Sequence, residues 1–310
     1  MRILVIFFLG LSAYGQIPLG YYDSAQGYTG DSLKIKLNFI IKDHIEFPYT
    51  STNTDVWDIL KETDKDTLNS ANVILLYSGW SRDAALEFDL GNGWSREHVW
   101  AKSRGDFGTN MGPGTDVHAL RPCDVTVNAA RNNRWFAECN EEYIDGDGAT
   151  GSYTSSSEWL WKPRDEVKGD VARMIFYMAT RYEGAGLEPD LEVIDSIPID
   201  NFTNDPIHAK LSDLLLWNDE DPVDNWEINR NNIIYYDYQN NRNPFIDHPE
   251  YAHEIWGNFV PLEIDEIEIK DRSLIKIVDF MGRETNYKPN TPLIYIYDDG
   301  SRERVFDVAP

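Results

Sequence analysis

The chain has only two cysteines, Cys123 and Cys139, among 310 residues. That number excludes a disulfide-dense scaffold, and two thiols alone do not complete a zinc centre. One bridge between them stays open, although the helix expected from 124 to 133 would hold their Cα atoms beyond the ~7 Å that a disulfide spans. Positive charge is also scarce: 28 Lys and Arg stand against 53 Asp and Glu, a net charge of −25. Such a balance argues against a surface that attracts polyanions everywhere. After the first dozen residues no apolar run approaches the roughly 20 residues that a membrane-crossing helix needs. Apolar and aromatic side chains are plentiful, at 42% and 13%, and exclude a disordered chain.

Met1-Arg2, the apolar run Ile3 to Leu11 and the small-residue stretch Ser12-Ala13-Tyr14-Gly15 read as a signal peptide over 1–15, cut before Gln16. The mature protein is expected to be secreted, extracellular or at the cell surface, and to lack a membrane span.

The charge is not evenly spread. From Trp94 to Phe136 there are six basic residues (Arg96, Lys102, Arg104, Arg121, Arg131, Arg134) and four acidic ones (Glu97, Asp106, Asp116, Asp124), so this stretch is +2 and the remainder −27. It reads as strand, glycine-rich loop, strand, short helix. A helix lying across the hairpin can bring Asn128 to Glu97 and His98. A carboxylate and an amide oxygen are hard ligands of the kind Mg²⁺ accepts, and with so few protein ligands the ion keeps waters and takes phosphate oxygens. His98, with a reference pKa of about 6.5, can remove a proton from water, so activity is expected to rise between about pH 5.5 and 7.5. Neighbours on a regular strand point to opposite faces, so the reading requires an irregularity at 97–98.

Arg96-Glu97-His98-Val99-Trp100, Asp116-Val-His118-Ala-Leu-Arg-Pro122 and Asp124-Val-Thr-Val-Asn128-x-x-Arg131 resemble the corresponding blocks of the bacterial endonuclease I family. Gly20-Tyr-Tyr-Asp-Ser-Ala25 and Asn241 to Glu250 resemble its opening and closing segments. The resemblance implies a secreted nuclease of low sequence specificity with a ββα-metal (His-Me finger) core. It implies His98 as general base, Glu97 and Asn128 as metal ligands, and an arginine near the scissile phosphate, Arg131 with Arg104 as alternative. Arg96, Lys102, Arg104 and Arg134 are the candidate substrate-binding residues. The implied cofactor is Mg²⁺, with Mn²⁺ or Ca²⁺ as alternatives. The implied substrate is DNA, with RNA as a further one, and the products carry 5′-phosphates.

Elsewhere, periodicity predicts helices over Asp31 to His44, Thr54 to Thr63, Asp165 to Tyr182, Ile207 to Trp217 and Trp226 to Tyr238, and a buried strand over Ala71 to Tyr77. Residues 137–161, rich in Gly, Ser, Asp and Glu, read as a surface loop. Lys168 and Arg173 either face substrate or form ion pairs. His118 is expected to be a hydrogen-bonded core residue, Asp116 a structural one, His44 a helix cap or surface residue, and His208 and His253 surface residues. His248 and Glu250 flank Pro249 in a stiff loop, in preference to a metal site. From Glu263 onward, short alternating strands (264–269, 274–278, 293–297, 304–306) mark a separate module. Two stretches there, Val278 to Glu284 and Ile294 to Gly300, resemble the sorting signal of the type IX secretion machinery. The expected protein is an α+β monomer, with a mainly helical nuclease domain over 16–262 and a small all-β module over 263–310. The rivals are a metallohydrolase on another substrate and a non-enzymatic secreted surface-binding protein.

Overall fold

The computed structural model describes residues 17–198, 203–257, 273–279, 283–291, 293–298 and 302–305. The expected leader and the strand at 264–269 lie outside them. The chain divides into two compact units, Met1–Phe259 and Val260–Pro310.

In the first unit, helix α1 (Gly30–Ile41) turns Leu33, Leu37 and Ile41 into the core. Its cap is Thr29, two residues before the expected Asp31. Helix α2 (Val56–Thr63) starts at Asp55, whose carboxylate accepts from the backbone N–H groups of Trp57 and Asp58 while Asp58 returns a bond to the Asp55 N–H. Strands β1 (Asn72–Ile74) and β2 (Ser81–Asp83) pair antiparallel. Then come β3 (Trp94–His98) and β4 (Leu120–Asp124), also antiparallel, with Glu97 opposite Arg121 and His98 opposite Leu120. Helix α3 (Val125–Arg131) follows β4 without a gap, because Asp124 caps it through Thr126 and Val127.

The segment expected as a loop from 137 to 161 is instead mostly sheet. Strands β5 (Trp135–Phe136), β6 (Glu141–Asp145), β7 (Gly148–Ser155) and β8 (Leu160–Lys162) form one sheet in the order β5-β8-β7-β6. Its inward residues include Thr150, Ser152 and Thr154, whose hydroxyls bond the carbonyls of Tyr143, Tyr77 and Leu160. Hydroxyls satisfied in this way are buried without an apolar signature.

Helix α4 (Lys168–Arg181) is buried along its whole length and packs against α1 and two later helices. Its charged residues are all paired: Arg173 grips Glu227 at 2.8 and 2.6 Å, and Lys168 bonds Asp165 and Glu220. Both therefore form the ion pairs that were one of the two expectations for them. Strands β9 (Glu192–Ile194) and β10 (Ile207–Lys210) run parallel, so the expected helix from 207 begins only at α5 (Leu211–Glu220). Helix α6 (Asn225–Ile233) continues as a π-helical turn over Ile234–Gln239, and α7 (Pro244–Asp247) and α8 (Tyr251–Trp256) close the unit. No helix among the described residues is long and apolar enough to cross a membrane.

The second unit contains β11 (Leu274–Val278), β12 (Leu293–Tyr297) and β13 (Arg302–Val305), an antiparallel sheet in that order.

Candidate active site

A cavity of about 450 Å³ opens between the end of β3, the start of the following loop and the C-terminal half of α3. Arg96, Glu97, His98, Lys102, Asn128 and Arg131 all line it. Glu97 and His98 meet there without a bulge in the β3–β4 register. The irregularity is the end of the strand itself, since His98 is the last residue of β3.

His98 is 8% exposed. Its Nε2 lies 2.9 Å from the Gly114 carbonyl oxygen. A carbonyl only accepts, so Nε2 carries the proton and Nδ1 is the basic nitrogen. Tyr49 stacks against the ring at 5.6 Å between centroids and 23° between planes. Gly114 can present its carbonyl only as glycine, because a Cβ there would meet the carbonyl oxygens of Gly108 and Asn110 at 2.7 and 2.8 Å. Burial lowers the His98 pKa to about 4, with Lys102, Arg96 and Arg131 adding to the effect and the Gly114 bond opposing it. The expected proton loss between pH 5.5 and 7.5 is therefore displaced downward, and the imidazole is already neutral in that range.

Glu97 is 2% exposed. Its Oε1 accepts from the Tyr77 hydroxyl at 2.7 Å and faces Arg131 Nη1 at 3.1 Å. Burial raises its pKa while Arg131 and Tyr77 oppose the rise. Asn128 donates Nδ2 to Ser95 Oγ at 2.9 Å, and Ser95 passes its own proton to the Cys123 carbonyl at 3.4 Å. That relay assigns the amide orientation and leaves Asn128 Oδ1 for another partner. Two hard oxygen donors, one anionic and one neutral, with space beside them for waters and phosphate oxygens, fit a cation such as Mg²⁺. Elsewhere among the described residues, Glu183, Asp190 and Glu192 bring ligand atoms within 4.8 Å of one another. Lys34 already neutralises two of these at 2.6 Å each.

The basic residues separate by position. Lys102 is exposed at the cavity, and Arg96 lines it with its guanidinium laid over Tyr49 (3.4 Å) and Trp57 (4.1 Å). Arg131 is 1% exposed. Besides facing Glu97, it bonds the carbonyls of His98 and Val99 and His208 Nε2. Its guanidinium thus holds Glu97 and the end of β3 in place, which leaves little of it for the expected role at the scissile phosphate. Arg104 and Arg134, expected as substrate contacts, are absent from the cavity wall. Arg104 is fully buried over Trp135 and donates twice to the Asn133 carbonyl. Arg134 bonds the carbonyls of Ala130 and Ser155.

The model for the family described as Endonuclease I matches residues 29–250. The chain belongs to the endonuclease I family. It is 54% identical over 236 residues to an extracellular ribonuclease of Bacillus subtilis (strain 168), a match covering 76% of this chain and 78% of that protein. An extracellular ribonuclease of Bacillus amyloliquefaciens is 53% identical over the same shares. Endonuclease-1 of Buchnera aphidicola subsp. Baizongia pistaciae (strain Bp) is 28% identical over 138 residues, 43% of this chain and 46% of that one. This endonuclease I chain is accordingly a secreted nuclease.

Three parts of the site carry no readable signal in the sequence. Tyr77 closes a predicted strand, yet its hydroxyl reaches Glu97. Ser95 is one serine among many. Tyr49 lies far back in the chain. His208, expected at the surface, is fully buried and accepts from Arg131, and burial holds its pKa well below the ordinary value. His118, expected in the core, is 1% exposed and bonds the Asn241 carbonyl at 3.1 Å. Cys123 and Cys139 are free thiols.

Proposed function

We propose that this secreted protein hydrolyses phosphodiester bonds of RNA and DNA without sequence preference, through a ββα-metal site at the end of β3. The observation that carries the reading is the meeting of His98, Glu97 and Asn128 at one cavity, with the Nε2 proton of His98 committed to Gly114. His98 Nδ1 takes a proton from a water molecule, whose oxygen attacks phosphorus. The bond from phosphorus to the 3′ oxygen breaks, leaving a 5′-phosphate and a 3′ alkoxide that solvent protonates. Glu97 and Asn128 would hold a divalent cation, Mg²⁺ with Mn²⁺ or Ca²⁺ as alternatives, which when bound would supply positive charge to the phosphate and the departing oxygen. Arg131 and Tyr77 orient the Glu97 carboxylate. Lys102 and Arg96 attract the substrate backbone, which carries charge but no sequence information.

RNA enters because the two Bacillus relatives are named ribonucleases. DNA follows because attack by water needs no 2′-hydroxyl. The family membership sets aside a non-enzymatic role. We read residues 263–310 as a separate β module outside the nuclease domain, a reading supported by the sheet β11-β12-β13 and by a family match that ends at 250. The type IX route stays a proposal resting on resemblance alone.

The deciding assay incubates purified protein with RNA or plasmid DNA and Mg²⁺, and identifies the product ends. Cleavage of both to 5′-phosphates, blocked by chelator and slowed roughly 10²- to 10⁴-fold by His98→Ala, is expected. Cyclic phosphate ends on RNA with intact DNA would refute it.

A further inference from the structure

Asn132 follows α3 with φ 53° and ψ −123°. With the Arg134 N–H bonded to the Arg131 carbonyl at 3.1 Å, residues 131–134 form a turn whose first central position is the type II′ position that glycine dominates. A side chain there is strained, and strain of this kind concentrates where it serves a function. Glycine at 132 would make the same backbone bonds: N–H to the Asn128 carbonyl, and carbonyl from Arg131 Nη1. What asparagine adds is its carboxamide alone. Among the described residues that carboxamide makes no hydrogen bond, although it lines the cavity beside Asn128 and is exposed. The strain is therefore not offset by any side-chain hydrogen bond among them.

Lys102 is the second such group. It is exposed, lines the same cavity and forms no ion pair with any described residue. A cation and a neutral amide that line one cavity suit an anionic oxygen.

We infer that Asn132 and Lys102 bind a backbone phosphate of the nucleic acid adjacent to the one being cleaved, Asn132 through its amide N–H groups. The inference rests on the proposed function and extends the site from one phosphodiester to two. Substrates longer than a dinucleotide gain from this contact, and a single phosphodiester does not.

The experiment compares the purified protein with Asn132→Gly and Asn132→Asp, on RNA and DNA oligonucleotides and on a dinucleoside monophosphate, with urea unfolding alongside. Asn132→Gly is expected to raise KM for both oligonucleotides about tenfold, a hydrogen bond's worth. It should leave kcat/KM for the dinucleoside monophosphate unchanged and the unfolding midpoint no lower. Asn132→Asp is expected to raise KM further, by repelling phosphate. An unchanged oligonucleotide KM in Asn132→Gly overturns the inference. So does a loss confined to RNA, which would assign the amide to the 2′-hydroxyl, or a loss equal on the dinucleoside monophosphate. Full activity of His98→Ala in the same assays would instead bring down the underlying site reading, so the two failures are separable.

Discussion

Ser95 touches no substrate in the proposed reaction, yet it determines which end of the Asn128 amide faces the cavity. Its proton goes to Cys123, so it can only accept from Asn128. Ser95→Ala removes the acceptor and lets the amide rotate. Outer contacts of this sort commonly change metal affinity by 10- to 100-fold, and titration calorimetry with Mg²⁺ is expected to show a weakening in that range. An unchanged isotherm would mean that Asn128 is oriented by something else. Lys102 admits a similar one-residue test. A lysine at a phosphate contributes a slope of about 0.7 to 0.9 to the logarithmic dependence of binding on salt, so Lys102→Gln should flatten that dependence by about this amount. A parallel line would remove Lys102 from the contact.

At the scale of elements, the hairpin, the loop between its strands and the helix behind it work as one part. Gly114 belongs to the loop, but its carbonyl fixes the imidazole at the end of β3. Gly114→Ala forces a methyl group against two backbone carbonyls, and overpacking of this kind costs typically 1–3 kcal/mol. We expect a lowered unfolding midpoint and a drop in kcat larger than the change in KM; activity equal to the parent would show that the loop can move without disturbing His98. Much of this part was legible in the sequence. Glu97, His98 and Asn128 stood in recognisable blocks, and helices α1, α2 and α4 announced themselves through apolar spacing. The sheet from β6 to β8 did not, because its inward positions are threonine and serine satisfied by carbonyls instead of alternating apolar residues. The segment 207–210 extended the apolar pattern of α5 and so read as helix. The true places of Arg104 and Arg131 were also hidden: sequence spacing shows that an arginine is near a site, whereas burial and carbonyl partners decide whether its charge is available.

Across the whole molecule, four of the six histidines have pKa values lowered mainly by burial: His44, His98, His118 and His208. His118 is lowered to about 4. A histidine depressed on folding contributes its stability above the unfolded value, about 6.5, and loses it as the pH falls toward the folded value. Asp116 lies beside it: burial pushes its pKa up, but His44, His118, Gln239 and Tyr177 pull it down to about 2. Its contribution is lost only below the ordinary carboxylate range. His118 should therefore withdraw ~3 kcal/mol between pH 6.5 and 4, before the Asp116 contribution begins to fail, while the buried Glu227, raised to about 8, works in the opposite direction. Denaturant melts at pH 7, 6, 5 and 4.5 measure this, and His118→Gln should give a shallower decline. An equal slope in the parent and in His118→Gln would contradict the burial of this imidazole.

The loop that ends in Val117 and His118 is fastened from far along the chain. Gln239 bonds the Val117 N–H at 2.7 Å and Asp116 at 3.0 Å, Asn241 accepts from His118, and Arg230 reaches the carbonyls of Val117 and Leu120. The loop that carries Gly114, the partner of His98, is thus held at its end by residues made more than a hundred positions later. On the proposed reading, a nascent polypeptide that has not yet exposed Gln239 and Asn241 lacks these clasps and is expected not to cut the messenger RNA from which it is being translated. Ribosome-bound chains stalled before residue 239 should leave a labelled RNA uncut, and cutting by such chains would show that the loop closes by itself.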